Sequence, residues 1–146
     1  MKLKQNCWVA TMDGEKALFL RNIGDDVHIN LQVVRDIEHR NPSNREQSSD
    51  RPGRLNDGVT HHKSAVQETD WHRLEKDRFA NEIANRLHIL AQKGQFSELV
   101  LIAPPRTLGA VRKAIPGSFG AEIIAEFDKD LTSHTVADIE AHILKH

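Results

Sequence analysis

The residues best suited to chemistry crowd between Arg40 and Lys63, where Arg40, Arg45, Arg51, Arg54 and Lys63 stand against Glu46, Asp50 and Asp57. Guanidinium and ammonium groups spread along a polar stretch suit phosphate oxygens, the arginines as bidentate forks and the lysine as a point charge. His61 and His62 add charge when protonated. The bland counterpart is a solvated insert rich in turn formers and with no fold of its own. Two further groupings are weaker. His61 and His62 with Asp57 have metal-ligating types, but a zinc site needs three or four convergent ligands and adjacent histidines point apart. Ser64 with His61 and Asp57 has the types of a hydrolase triad, yet the spacing supplies neither its geometry nor an oxyanion hole. Arg106, at the start of an expected helix, can meet a phosphate or form a salt bridge, although the preceding prolines remove amide donors.

Bulk composition narrows the partners. The 146 residues are most simply one domain, residues 1–146, large enough to bury roughly two thirds of its unfolded surface. Lys plus Arg at 20 against Asp plus Glu at 21 leaves the chain near neutral, so attraction to nucleic acid requires a local patch. Cys7 is the single cysteine, which excludes an intrachain disulfide and a multi-cysteine metal site. With no glycine fingerprint for a nucleotide, no cofactor and no metal is expected. The opening residues lead into an apolar run, Cys7-Trp8-Val9-Ala10, far too short for a signal-peptide core, and no apolar run reaches membrane length, so the expectation is a cytoplasmic protein with no membrane contact.

The elements that must position these groups follow from periodicity. Residues 7–12 and 16–21 read as strands around the turn Asp13-Gly14-Glu15. A third strand from Val27 alternates, with Val27, Ile29, Leu31, Val33 and Ile37 on a buried face and His28, Asn30, Gln32 and Asp36 on a wet one. Residues 38–70 read as a long polar loop, unusual inside one domain and therefore a place to look for function. Thr69 or Asp70 is the expected N-cap of a helix carrying Phe79, Ile83, Leu87 and Leu90, which Lys93-Gly94 closes. Leu99-Val100-Leu101-Ile102-Ala103 has the pattern of a strand buried on both faces. Pro105 suits the first turn of a second helix with Leu108, Val111 and Ile115 inward, and Gly109 is expected to permit close helix packing. A last strand over 121–127 and a helix capped at Thr135, with Ile139, Ile143 and Leu144 inward, complete the chain.

The order βββαβαβα predicts an α/β fold, more strictly an α+β mixed sheet of five strands with helices on its faces. It resembles the ribonuclease H-like order, which the middle domain of archaeal and eukaryotic release factors shares. A ribonuclease H-type nuclease needs carboxylates around two metals. Asp13, Glu75 and Asp77 are candidates, but Asp13 reads better as a turn residue and Glu75 as a helix charge spaced to meet Arg78. The fourth strand ends in Pro104-Pro105-Arg106 where another carboxylate is required. In the release factors the loop after the third strand carries a Gly-Gly-Gln that helps water cleave the peptidyl-tRNA ester. The corresponding slot here holds Gln47 and Gln67 without paired glycines, leaving Gln47 as a weak catalytic candidate.

Four segments bring the chain close to one bacterial group: Asp50-Arg51-Pro52-Gly53-Arg54, Glu75-Lys76-Asp77-Arg78-Phe79-Ala80, the run from Leu99 through Ala103-Pro104-Pro105-Arg106-Thr107-Leu108-Gly109, and Lys129-Asp130-Leu131-Thr132. They resemble the host attachment protein family, proteins required for attachment to host cells, which is grouped with bacterial release-factor-like proteins. The family name describes a phenotype, and the resemblance implies an indirect action on attachment through translation or regulation. The leading expectation is a non-enzymatic module that binds the ribosome or structured RNA through Arg45, Arg51, Arg54, Lys63 and Arg106. The alternatives are a peptidyl-tRNA ester hydrolase using Gln47 and a protein-binding module serving attachment. The sequence leaves the oligomeric state open.

Overall fold

The computed structural model describes residues 1–38 and 57–146, with side chains from residue 70 onward in the second span. Its elements are β1 (Trp8–Met12), β2 (Lys16–Asn22), β3 (Leu31–Glu38), α1 (Asp57–Gln92), β4 (Glu98–Ile102), α2 (Pro105–Ala114), β5 (Glu122–Phe127) and α3 (Val136–Lys145). They form a five-stranded mixed sheet in the order β3-β2-β1-β4-β5. β1 and β2, and β2 and β3, are antiparallel, whereas β1–β4 and β4–β5 are parallel. The βββαβαβα order is thus the expected one.

Strand alternation divides the core between the sheet's two faces. Trp8, Ala10, Met12, Phe19, Leu99 and Leu101 pack with Phe79, Ile83 and Leu87 of α1 and Leu108 and Val111 of α2. Val9, Leu20, Val100 and Ile102 face the other way, onto Leu3, Leu131, and Ile139 and Ile143 of α3. β4 supplies fully buried side chains to both faces, as its continuous apolar run implied. Thr135 caps α3 by accepting a hydrogen bond from Asp138 N at 3.1 Å, and Gly94 at φ 75° turns the chain out of α1.

Four expectations need correction. α1 begins at Asp57, so Thr69 and Asp70 lie inside a helix and residues 57–70 are not loop. Once the apolar half of a helix is anchored, adding turns costs far less than nucleating them, and a polar stretch can propagate it. β3 begins at Leu31 rather than Val27, because Asp25 Oδ1 accepts from Val27 N and His28 N at 2.9 and 2.7 Å and holds 25–28 in a turn. Within β3 the register shifts: Phe19 pairs with Arg35 and Leu20 with Val33, leaving Val34 extra. That bulge puts Leu31 and Ile37, six residues apart, on opposite faces of the sheet and leaves Val33 exposed. Leu144, expected inward, is exposed.

Candidate anion-binding clefts

Two tight turns at the carboxyl ends of the parallel strands set the position of the site. After β1, Asp13 Oδ1 accepts from Glu15 N and Lys16 N, both at 2.7 Å, an Asx turn that reverses the chain into β2. Asp13 Oδ2 lies 3.1 Å from Thr132 Oγ1, which is also 2.6 Å from Asp130 Oδ1, so the single hydroxyl proton serves one carboxylate at a time. This ties the segment after β5 to the β1–β2 turn, and Leu131 between them is buried. Asp13 therefore works as the turn residue the sequence indicated. Among the described residues, no group of three or more His, Cys, Asp or Glu side chains is placed to hold a metal ion.

Beside this turn lies a cleft of about 500 Å³ lined by Glu15, His72, Arg73, Lys76 and Arg106. His72, Arg73 and Lys76 come from α1, where residues four apart share a face. Arg106 comes from the first turn of α2, directly after β4. Gly14 makes the seat for Lys76: a Cβ there would fall 2.6 Å from the lysine Cγ, so any other residue would displace the stem. β3 also ends here, since Glu38 pairs with Lys16, next to Glu15.

A second cleft, of about 540 Å³, continues between α1 and α2 and is lined by Asp77, Asn81, Arg106, Gly109, Ala110, Arg112 and Lys113. Arg106 belongs to both clefts and stands 3.8 Å from Asp77, with about half of each side chain exposed. Arg112 is committed to Glu126 through a bidentate pair, which raises the guanidinium pKa further. Among the described residues the clefts bring together five cationic side chains, Arg73, Lys76, Arg106, Arg112 and Lys113, against Glu15 and Asp77, with Arg112 already held by Glu126. A chain with a formal net charge of −1 thus carries a locally basic surface.

Of the residues singled out from sequence, Arg106 occupies the junction of the clefts. Arg45, Gln47, Arg51 and Arg54 lie outside the described residues, and Lys63 lies on α1 with its side chain outside them. Glu75 meets Arg78 at 2.7 Å, the three-residue pair expected. The expected role of Gly109 is not seen, because a Cβ there would meet nothing within 4 Å and the residue does not mediate close packing. Sequence reasoning passed over Arg73, Lys76, Arg112 and Lys113. Their spacing on two helices was legible, but their convergence across α1, α2 and the β1–β2 turn is a product of the fold. Cys7 is no nucleophile: burial first, then the nearby Glu98 carboxylate, pushes its pKa up to about 12.

With this geometry established, comparison with known families is decisive. The family model of bacterial archaeo-eukaryotic release factor family 12 matches residues 6–143. The chain belongs to that family. A search of curated proteins gave no match. Membership places the chain in the release-factor-like group. The two clefts lie beyond the carboxyl ends of β1 and β4 and along α2, the side on which open α/β sheets commonly take ligands. Among the described residues, no helix is long and apolar enough to cross a membrane.

Proposed function

We propose that the chain is a non-enzymatic, release-factor-like module that binds ribosomal or other structured RNA, works in the bacterial cytoplasm, and affects attachment to host cells indirectly. The observation that carries this reading is the pair of basic clefts joined at Arg106 in an otherwise neutral protein. Phosphate groups are the ligand such a surface favours, because Arg presents a planar fork and Lys a point charge while the whole molecule offers no general attraction. Arg45, Arg51, Arg54 and Lys63 extend the same chemistry through the stretch that joins β3 to α1 and into that helix. The absence of paired glycines around Gln47 is why the reading is a binding module and not an ester hydrolase.

Co-sedimentation with purified bacterial ribosomes at low and high salt tests it. Association at low salt that weakens steeply as salt rises supports the proposal. No association with ribosomes or structured RNA at low salt overturns it and makes a protein partner the leading alternative. Release of peptide from peptidyl-tRNA that disappears in Gln47→Ala, with affinity unchanged, overturns the non-enzymatic part alone.

A further inference from the structure

Gly109 is the fifth of ten residues in α2, a position where glycine is less favourable than any residue but proline. Nothing among the described residues requires that cost. A Cβ at Gly109 would meet no atom of the described residues within 4 Å, and the backbone lies outside the left-handed region that favours glycine. The residue instead lines the α1–α2 cleft, with Arg106 three positions before it and Lys113 four positions after it, so all three share one helix face. Across the cleft stand Asp77 and Asn81, themselves four apart on α1. The chain has thus left open a strip of bare helix backbone between two cations and opposite an amide.

We infer that this strip seats the sugar–phosphate backbone of a structured RNA, with Gly109 and Ala110 as the floor, Arg106 and Lys113 meeting successive phosphates, and the Asn81 amide placed for a ribose hydroxyl; the inference rests on the RNA-binding reading above and locates its contact. The chemistry of the lining favours RNA backbone over an acidic protein segment. Protein interfaces are anchored by large apolar or aromatic side chains in fitted pockets, and among the described residues this cleft contains no apolar residue larger than alanine. The absence of an aromatic platform in the lining also favours a paired, A-form backbone over single strands, whose bases require stacking partners. Arg106 is available for the exchange, because its contact with Asp77 is long at 3.8 Å and half-exposed, the kind of ion pair that contributes little. Arg112, held by Glu126, is a fixed wall of the cleft.

The test uses the full chain, with Gly109→Ala and Gly109→Leu, a blunt-ended RNA duplex and purified ribosomes as probes, and thermal unfolding run in parallel. A structural glycine and a contact glycine predict opposite pairings of effects. The expected result is a melting temperature equal to or above that of the wild type for both variants, with binding weakened slightly by Gly109→Ala and by about tenfold by Gly109→Leu. Wild-type binding that survives undiminished in a folded Gly109→Leu overturns the seat at Gly109 and leaves the RNA-binding reading intact. A wild-type chain that binds neither probe at low salt overturns both. Should Gly109→Leu fail to fold, Gly109→Ala with Lys113→Gln decides the matter: weakened binding by the double variant supports the seat and unchanged binding refutes it.

Discussion

Replacing Arg73, Lys76 and Arg106 together by glutamine removes three of the five cations that the described residues bring to the clefts and leaves uncharged polar side chains in their place. All three side chains are exposed, so the fold should change by no more than about 0.5 kcal/mol per site. The effect on binding follows from counterion release. Each phosphate neutralised contributes about 0.7–0.9 to the slope of log affinity against log salt, so the loss of three contacts should flatten that slope by about 2–2.7. Over a fourfold rise in salt, from about 50 to 200 mM, the wild type should then lose about 20–40 times more affinity than the variant. Fluorescence anisotropy with a labelled RNA duplex across that salt series measures both slopes, and far-ultraviolet circular dichroism checks the fold. A folded triple variant with the wild-type slope would refute the assignment, because no arrangement in which these side chains neutralise phosphates leaves the slope unchanged.

Removing the competing carboxylate should act in the opposite direction: Asp77→Asn releases Arg106 and is expected to tighten RNA binding at low salt, which the same titration detects. Asn22 is fully buried, its Nδ2 donating to Leu3 O and its Oδ1 accepting from Gly24 N and Asn30 N, so Asn22→Leu strands several backbone groups and should cost about 3 kcal/mol or more in urea unfolding. Burial, then His146, Lys129 and Lys145, lowers the pKa of His142 below its ordinary value of 6.5. The unfolded chain therefore binds the proton first, and stability should fall as pH drops through and below that ordinary value, with a shallower fall of the melting temperature in His142→Gln.

The sequence made the sheet legible where one periodicity ruled a whole element. Leu99 to Ala103 read as a strand covered on both faces, which the structure sets between β1 and β5, and Thr135 and Gly94 marked helix ends by local chemistry that needs no tertiary information. The failures share a physical origin in effects that reach across elements. Nothing local to residues 57–70 announces a helix, since its propagation depends on the anchoring of Phe79, Ile83 and Leu87 further along. The period-two pattern of β3 misled because the bulge at Val34 resets which face each residue occupies. The clefts were invisible for the same reason. Arg106 was noticed through its position after a proline pair, but Lys76 gained meaning only from its seat on Gly14, in a turn more than sixty residues away.

The run from Thr107 to Gly109 shows how one short segment divides its labour between fold and surface. Thr107 and Leu108 are buried and fasten α2 to the sheet face it shares with α1, which fixes the angle at which the neighbouring side chains emerge. Arg106 and Gly109 then face the clefts, three positions apart on the same side of the helix. Packing accounts for the first pair completely and for the second not at all. The half-exposed arginine gains little from its distant partner, and the mid-helix glycine gives up the stability that alanine would supply at its position. On the proposal above, what enters the cleft explains all three residues: Arg106 and Lys113 meet an anionic backbone, and Gly109 lets that backbone approach closely.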